Sequence, residues 1–88
     1  MNRTLDFHAD PGHGWLEVSR ADLAALGLTG HISGCSYERG DRVYLEEDVD
    51  APAFLRAARA AGWVVTTRER YTPGASFVRE LEVYGADG

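Results

Sequence analysis

The sequence predicts a small single-domain α+β fold over residues 1–88, a mostly antiparallel sheet of five to six strands with two helices in the order β-β-α-β-β-α-β-(β). Three observations predict it. The chain has 88 residues, room for one domain. Short segments of alternating apolar and polar residues are separated by turn residues, as half-buried strands and hairpins require. Two stretches instead carry helical spacing between a capping residue and a glycine.

Residues 4–8 alternate, with Leu5 and Phe7 on one face and Asp6 and His8 on the other, which reads as a strand. Asp10-Pro11-Gly12-His13 suits a type II turn, and residues 14–18 form the returning strand of a hairpin. Ser19 with Asp22 resembles a capping box before a helix at residues 20–26 that buries Leu23 and Leu26. Gly27 follows as its C′ residue, because glycine enters the left-handed region without steric cost. Residues 32–37 and 42–47 flank the turn Glu38-Arg39-Gly40-Asp41 as a second hairpin, with Val43 and Leu45 facing one way and Tyr44 and Glu46 the other. Asp50 is expected to cap a second helix, in which Phe54, Leu55, Ala58 and Ala61 share a face and which Gly62 ends. Residues 63–71, rich in β-branched and aromatic side chains, read as a strand. Residues 77–84 are expected as a further strand on the parity of Phe77, Leu81 and Val83, and 85–88 as a loose tail.

Composition narrows the function classes. A chain of this length buries about 60–65% of its unfolded surface, too little for a deep enzyme pocket. The single cysteine, Cys35, leaves no disulfide framework or paired-thiolate zinc site and fits a reducing compartment. No segment has the roughly 20 apolar residues of a membrane span or the apolar run of a signal peptide, so a soluble, cytoplasmic protein is expected. Formal net charge is −5 and all nine basic residues are arginine, a balance that repels nucleic acid. The charge is uneven: ten acids against four arginines in residues 1–50, and four against five in residues 51–88.

Four constellations carry chemistry. His8, Asp10 and His13 around one turn have the side chains of a metal site, although Asp10 is equally suited to bonding its own turn. Cys35 with His31 is a nucleophile and base, but a cysteine in a strand at residues 32–37 reads as packing. Arg68-Glu69-Arg70-Tyr71 with Arg56 and Arg59 has the arginine and aromatic content of a single-strand binder, interrupted by an acid and embedded in a net acidic protein. Glu46-Glu47-Asp48 with Asp50 misses the calcium-loop spacing and its glycine.

The densest acidic stretch, Glu38, Asp41, Glu46, Glu47, Asp48 and Asp50, is the main electrostatic feature. Carboxylates along a strand edge and a helix start imitate a row of phosphates and dock into a basic groove with steered association. Tyr37 and Tyr44 add contact area.

The run Phe7-His8-Ala9-Asp10-Pro11-Gly12-His13-Gly14-Trp15-Leu16-Glu17-Val18 resembles the opening of small acidic proteins encoded by bacteriophages and prophages. The resemblance continues at Ile32-Ser33, Ser36-Tyr37, Val43-Tyr44-Leu45-Glu46-Glu47-Asp48 and Asp50-Ala51, and covers nearly the whole chain. Size, charge and that context are similar to anti-CRISPR proteins. The resemblance implies a non-enzymatic inhibitor without cofactor, a monomer or weak dimer. Its partner would be a host complex with a basic nucleic-acid groove, such as a CRISPR effector. The alternatives are a small metal-binding or hydrolytic protein using His8, Asp10 and His13, and a phage accessory interaction module.

Overall fold

The computed structural model describes residues 1–85 and has the α+β architecture the sequence predicts. Strands β1 (Asn2–Ala9), β2 (Gly14–Ser19), β3 (Tyr37–Arg39), β4 (Arg42–Glu46), β5 (Val64–Tyr71) and β6 (Glu82–Val83) form one sheet in the order β5-β1-β2-β4-β3-β6. Every pairing is antiparallel except β1 with β5, which run parallel because helix α2 (Asp50–Ala60) precedes β5.

The two faces are covered differently. On one, Leu5, Leu16, Val18, Val43 and Leu45 pack with Leu23 of α1 (Arg20–Ala25) and Ala51, Phe54 and Ala58 of α2. The opposite face carries Asp6, His8, Trp15, Glu17, Tyr44 and Glu46, as strand alternation demands. A 3-10 turn, Phe77–Glu80, presses Val78 against Trp15 and Tyr44 there.

Helix α1 ends as expected, with Leu26 at the C-cap and Gly27 at φ 70°. Ser19 Oγ accepts the Asp22 N–H at 3.0 Å. Asp22 does not complete a capping box; its carboxylate takes the Arg3 guanidinium at 2.8 and 3.1 Å.

Several expectations are corrected. Gly12 has no positive φ, so the 10–13 turn is not type II. Asp10 Oδ1 instead accepts the N–H groups of Gly12 and His13 at 2.9 and 3.0 Å. Residues 32–36 are not a strand, because their backbone bonds elsewhere: the Ser33 N–H donates to Asp50 and the Cys35 N–H to Ser33 Oγ. Asp50 is not the cap of α2. Val49 occupies that position, and the buried Asp50 carboxylate accepts from Ser33 Oγ at 2.7 Å and Ser36 Oγ at 2.5 Å. Ala61 is exposed rather than part of the buried face of α2. Residues 77–84 are mainly the 3-10 turn, capped by Ser76, and only Glu82–Val83 is strand. Of the tail expected at 85–88, Gly85 alone lies within the described residues, and its N–H donates to Glu38 at 2.8 Å.

Candidate functional site

The dense motif at residues 7–18 becomes intelligible side chain by side chain. A Cβ at Gly14 would collide with the Phe7 ring, so the glycine lets that ring close over the hairpin. Leu16 and Val18 enter the core beneath the helices. On the opposite face His8 Nε2 lies 2.7 Å from Glu17 Oε1, and the other Glu17 oxygen takes Arg42 Nε at 2.8 Å. Burial works to raise the Glu17 carboxyl, but the bonds from His8 and Arg42 hold it below its ordinary value.

Asp10 is the most heavily committed carboxylate of the motif. Arg79 clamps it in bidentate fashion, Nε to Oδ2 at 2.6 Å and Nη2 to Oδ1 at 2.8 Å. Ser76 N–H adds a third external bond at 2.9 Å. Arg79 first, and then the Ser76, Gly12 and His13 amides against the cost of burial, hold this carboxyl far below the usual carboxylate range. The role of Asp10 is therefore structural, since it ties the 3-10 turn to the first hairpin across 69 residues of chain.

This arrangement dissolves the expected His8–Asp10–His13 metal turn. Asp10 is spent on Arg79 and backbone amides, and His8 is drawn to Glu17. His13 instead joins an open cleft of about 440 Å³, lined by His13, Trp15, Cys35, Tyr37, Glu46, Asp48, Val49 and Arg79. The sheet builds this cleft through register. Trp15 of β2 pairs with Glu46 of β4, which places the residue two before Trp15 beside the residues following Glu46. His13 Nε2 lies 2.8 Å from Glu46 Oε1, and Nδ1 lies 3.3 Å from Glu47 Oε1. The ring packs against Trp15 with centroids 5.2 Å apart. Ligand atoms of His13, Glu46 and Asp48 all lie within 4.8 Å of one another.

The acidic stretch does not form one exposed row. Asp50 is buried against Ser33 and Ser36, and Glu46 is 6% exposed with its two oxygens accepting the Asp48 and Val49 amides at 2.9 Å. Neither faces a partner as the sequence led us to expect. Glu38 is half-buried; its bond from Arg20 at 2.7 Å and then, against burial, the Gly85 amide hold its carboxyl below the ordinary value. Asp41 and Asp48 are exposed, Glu47 is half-buried, and no arginine pairs with any of the three among the described residues. Tyr44 is buried against His8 and Phe77, so it offers little contact area, whereas Tyr37 is half-buried in the wall of the cleft.

Cys35 is exposed rather than packed in a strand, and it lines the cleft while His31 does not. The arginine patch is divided. Arg68 and Arg70 reach Asp6 on one face at 2.8 and 3.6 Å, whereas Arg59 lies with Leu55, Trp63, Val65 and Thr67 on the helix side. Such a split does not make a continuous phosphate track.

Sequence reasoning missed the partnership of His13 with Glu46 and Asp48, and the role of Arg79. The signal available was the β2–β4 pairing: once Trp15 is set opposite Glu46, the cleft follows. No protein-family model matches the chain, and neither the curated proteins nor the solved structures contain a significant match to it.

Proposed function

We propose that this protein is a non-catalytic inhibitor that docks on a basic, nucleic-acid-binding surface of a host defence complex, a CRISPR effector being the first partner to test. The observation that carries this reading is the charge left over after internal pairing. Asp48 lines the cleft, Glu47 beside it reaches only His13, and Asp41 stands at the opposite end of β4, none of the three answered by an arginine among the described residues. The two ends are separated by about 20 Å, at roughly 3.4 Å per strand residue. A three-point acidic frame is sparser than a phosphate row, so the contact is a docking of separated carboxylates onto partner arginines or lysines. The net charge of −5 favours steered encounter with such a surface, and the phage resemblance supports the partner class.

The test is capture by the tagged chain from a lysate of a bacterial host carrying a CRISPR system, followed by DNA binding with the purified effector. Recovery of the effector, lost at high salt and competed by duplex DNA, is the expected result. The triple variant D41K/E47K/D48K is expected to lose capture while melting as the parent does, because these side chains are not buried in the core. Retained capture by that variant, or capture indifferent to salt, would overturn the reading.

A further inference from the structure

We propose that the cleft mouth is a binding site for a divalent transition ion of the zinc class, with His13 Nε2, Glu46 Oε1 and an Asp48 carboxylate oxygen as protein ligands. The inference shares Asp48 and Glu47 with the docking reading but does not rest on it, since the uptake of Zn²⁺ is read on the isolated chain.

The donor set argues for the ion class. One imidazole with two carboxylates suits zinc and its neighbours, whereas calcium and magnesium take all-oxygen shells. The geometry argues for the site. His13 Nε2 and Glu46 Oε1 converge to 2.8 Å, and a small opening of the pair reaches the separation of about 3.3 Å that a tetrahedral ion roughly 2 Å from each would set. Asp48 brings the third ligand atom within 4.8 Å of both, from the solvent side.

The surroundings are those of a supported metal ligand. A histidine bound to metal through one nitrogen characteristically gives the other N–H to a carboxylate, and Glu47 Oε1, at ion-pair distance of 3.3 Å from His13 Nδ1, is the carboxylate placed to take it. Ligating carboxylates are themselves oriented by hydrogen bonds, and Glu46 receives the Asp48 and Val49 amides at 2.9 Å. Trp15 packs on the imidazole and limits its rotation. The cation in the cleft wall, Arg79, is answered by Asp10 and lies over the Trp15 ring at 5.1 Å, so it does not oppose a bound ion. The open side of the cleft leaves the remaining coordination positions to water or to a donor from a partner.

The experiment is calorimetric titration of the untagged, chelator-stripped full chain with Zn²⁺ alone, with Mg²⁺ and Ca²⁺ as controls. One saturable equivalent of Zn²⁺ and no comparable response to the controls is expected. H13A and D48N are expected to abolish saturable uptake, and E47Q to weaken it about ten-fold. Asp48 is exposed, so D48N tests the site without disturbing the core. C35S is expected to bind as the parent does, because Cys35 lines the cleft but does not belong to the ligand group. Absence of saturable uptake, uptake that survives H13A and D48N, or loss on C35S would each overturn the assignment.

Discussion

Two imidazole–carboxylate clusters stand on the same face of the sheet, and they differ in what answers their charge. Asp6, His8 and Glu17 bring three ligand atoms within 4.8 Å of one another, as do His13, Glu46 and Asp48. Around His8, however, Arg68 and Arg70 occupy Asp6, Arg42 occupies Glu17, and the rings of Tyr44 and Phe77 close over the imidazole. Around His13 the carboxylates meet backbone amides and solvent, and no arginine reaches them among the described residues. The lesson is that proximity of donor atoms does not make a site. What counts is the charge and the lone pairs left over once the neighbours have been served. The His8 cluster is an internal ion-pair network, whereas in the His13 cluster the exposed Asp48 carboxylate is unspent and Glu46 is answered by neutral amides and His13 without any arginine among the described residues.

The largest expected effect comes from the clamp that separates the two clusters. Asp10→Ala removes the bidentate Arg79 contact and the Ser76, Gly12 and His13 amide bonds together, releasing the 3-10 turn that carries Phe77 over His8. A fall in melting temperature of more than about 10 °C is expected, read by circular dichroism. A change within experimental scatter would show that the turn is held by apolar packing of Val78 alone.

Acid should act through the same clamp. Asp10, Asp6, Glu17 and Glu38 all have carboxyl groups held below their ordinary values. The unfolded chain therefore binds more protons than the folded chain in mildly acidic solution. Their contribution is fully present above the unfolded carboxyl values of about 4, and it is lost as pH falls through the lowered folded values. Urea unfolding between pH 7 and pH 2 should show a steady loss on the acid side, and Asp10→Asn should flatten it.

Gly14→Ala probes the hairpin between the clusters. Its Cβ would run into the Phe7 ring, and overpacking of this kind costs about 1–3 kcal/mol. Denaturant titration checks the figure. Pairing it with Phe7→Leu should recover part of the loss, because the colliding ring atoms are gone.

Arg42→Gln is expected to have the smallest effect on stability, below about 1 kcal/mol, since that guanidinium is partly exposed. Its value lies in the comparison. Combined with Arg68→Gln it strips the His8 cluster of two of its cations, and a second, weaker equivalent of bound Zn²⁺ should then appear in calorimetry. No second equivalent would mean that closure by Tyr44 and Phe77, and not arginine, keeps the His8 cluster shut.

The parts of the fold legible in the sequence are those whose hydrogen bonds are local or whose alternation is strict. The first hairpin, α1 with Ser19 and Gly27, β4 and β5 follow from apolar spacing and caps. Residues 32–36 depart from strand because a side chain distant in sequence claims the Ser33 amide, and residues 77–81 because Ser76 Oγ and the Ser76 and Val78 carbonyls take the Val78, Arg79 and Leu81 amides once Ser76 is itself anchored. Asp50 takes the Ser33 amide from 17 positions away, and Asp10 takes that of Ser76 from 66. No local pattern records such bonds. The site was half legible: His13 and the acids Glu46 and Asp48 stand out, but they fall to different roles until β2 is set beside β4. Asp50 misleads for a related reason, since an acid before an apolar helical stretch looks like a cap whether its oxygens turn to the helix or to two serines behind it.

The contrast between the two clusters is tested most directly by a ¹⁵N spectrum of the histidine ring nitrogens during addition of Zn²⁺. A large shift of His13 Nε2 that saturates at one equivalent is predicted, with the His8 ring unmoved at that point. A shift of His8 at the same equivalent, or no saturable change in His13, would contradict it.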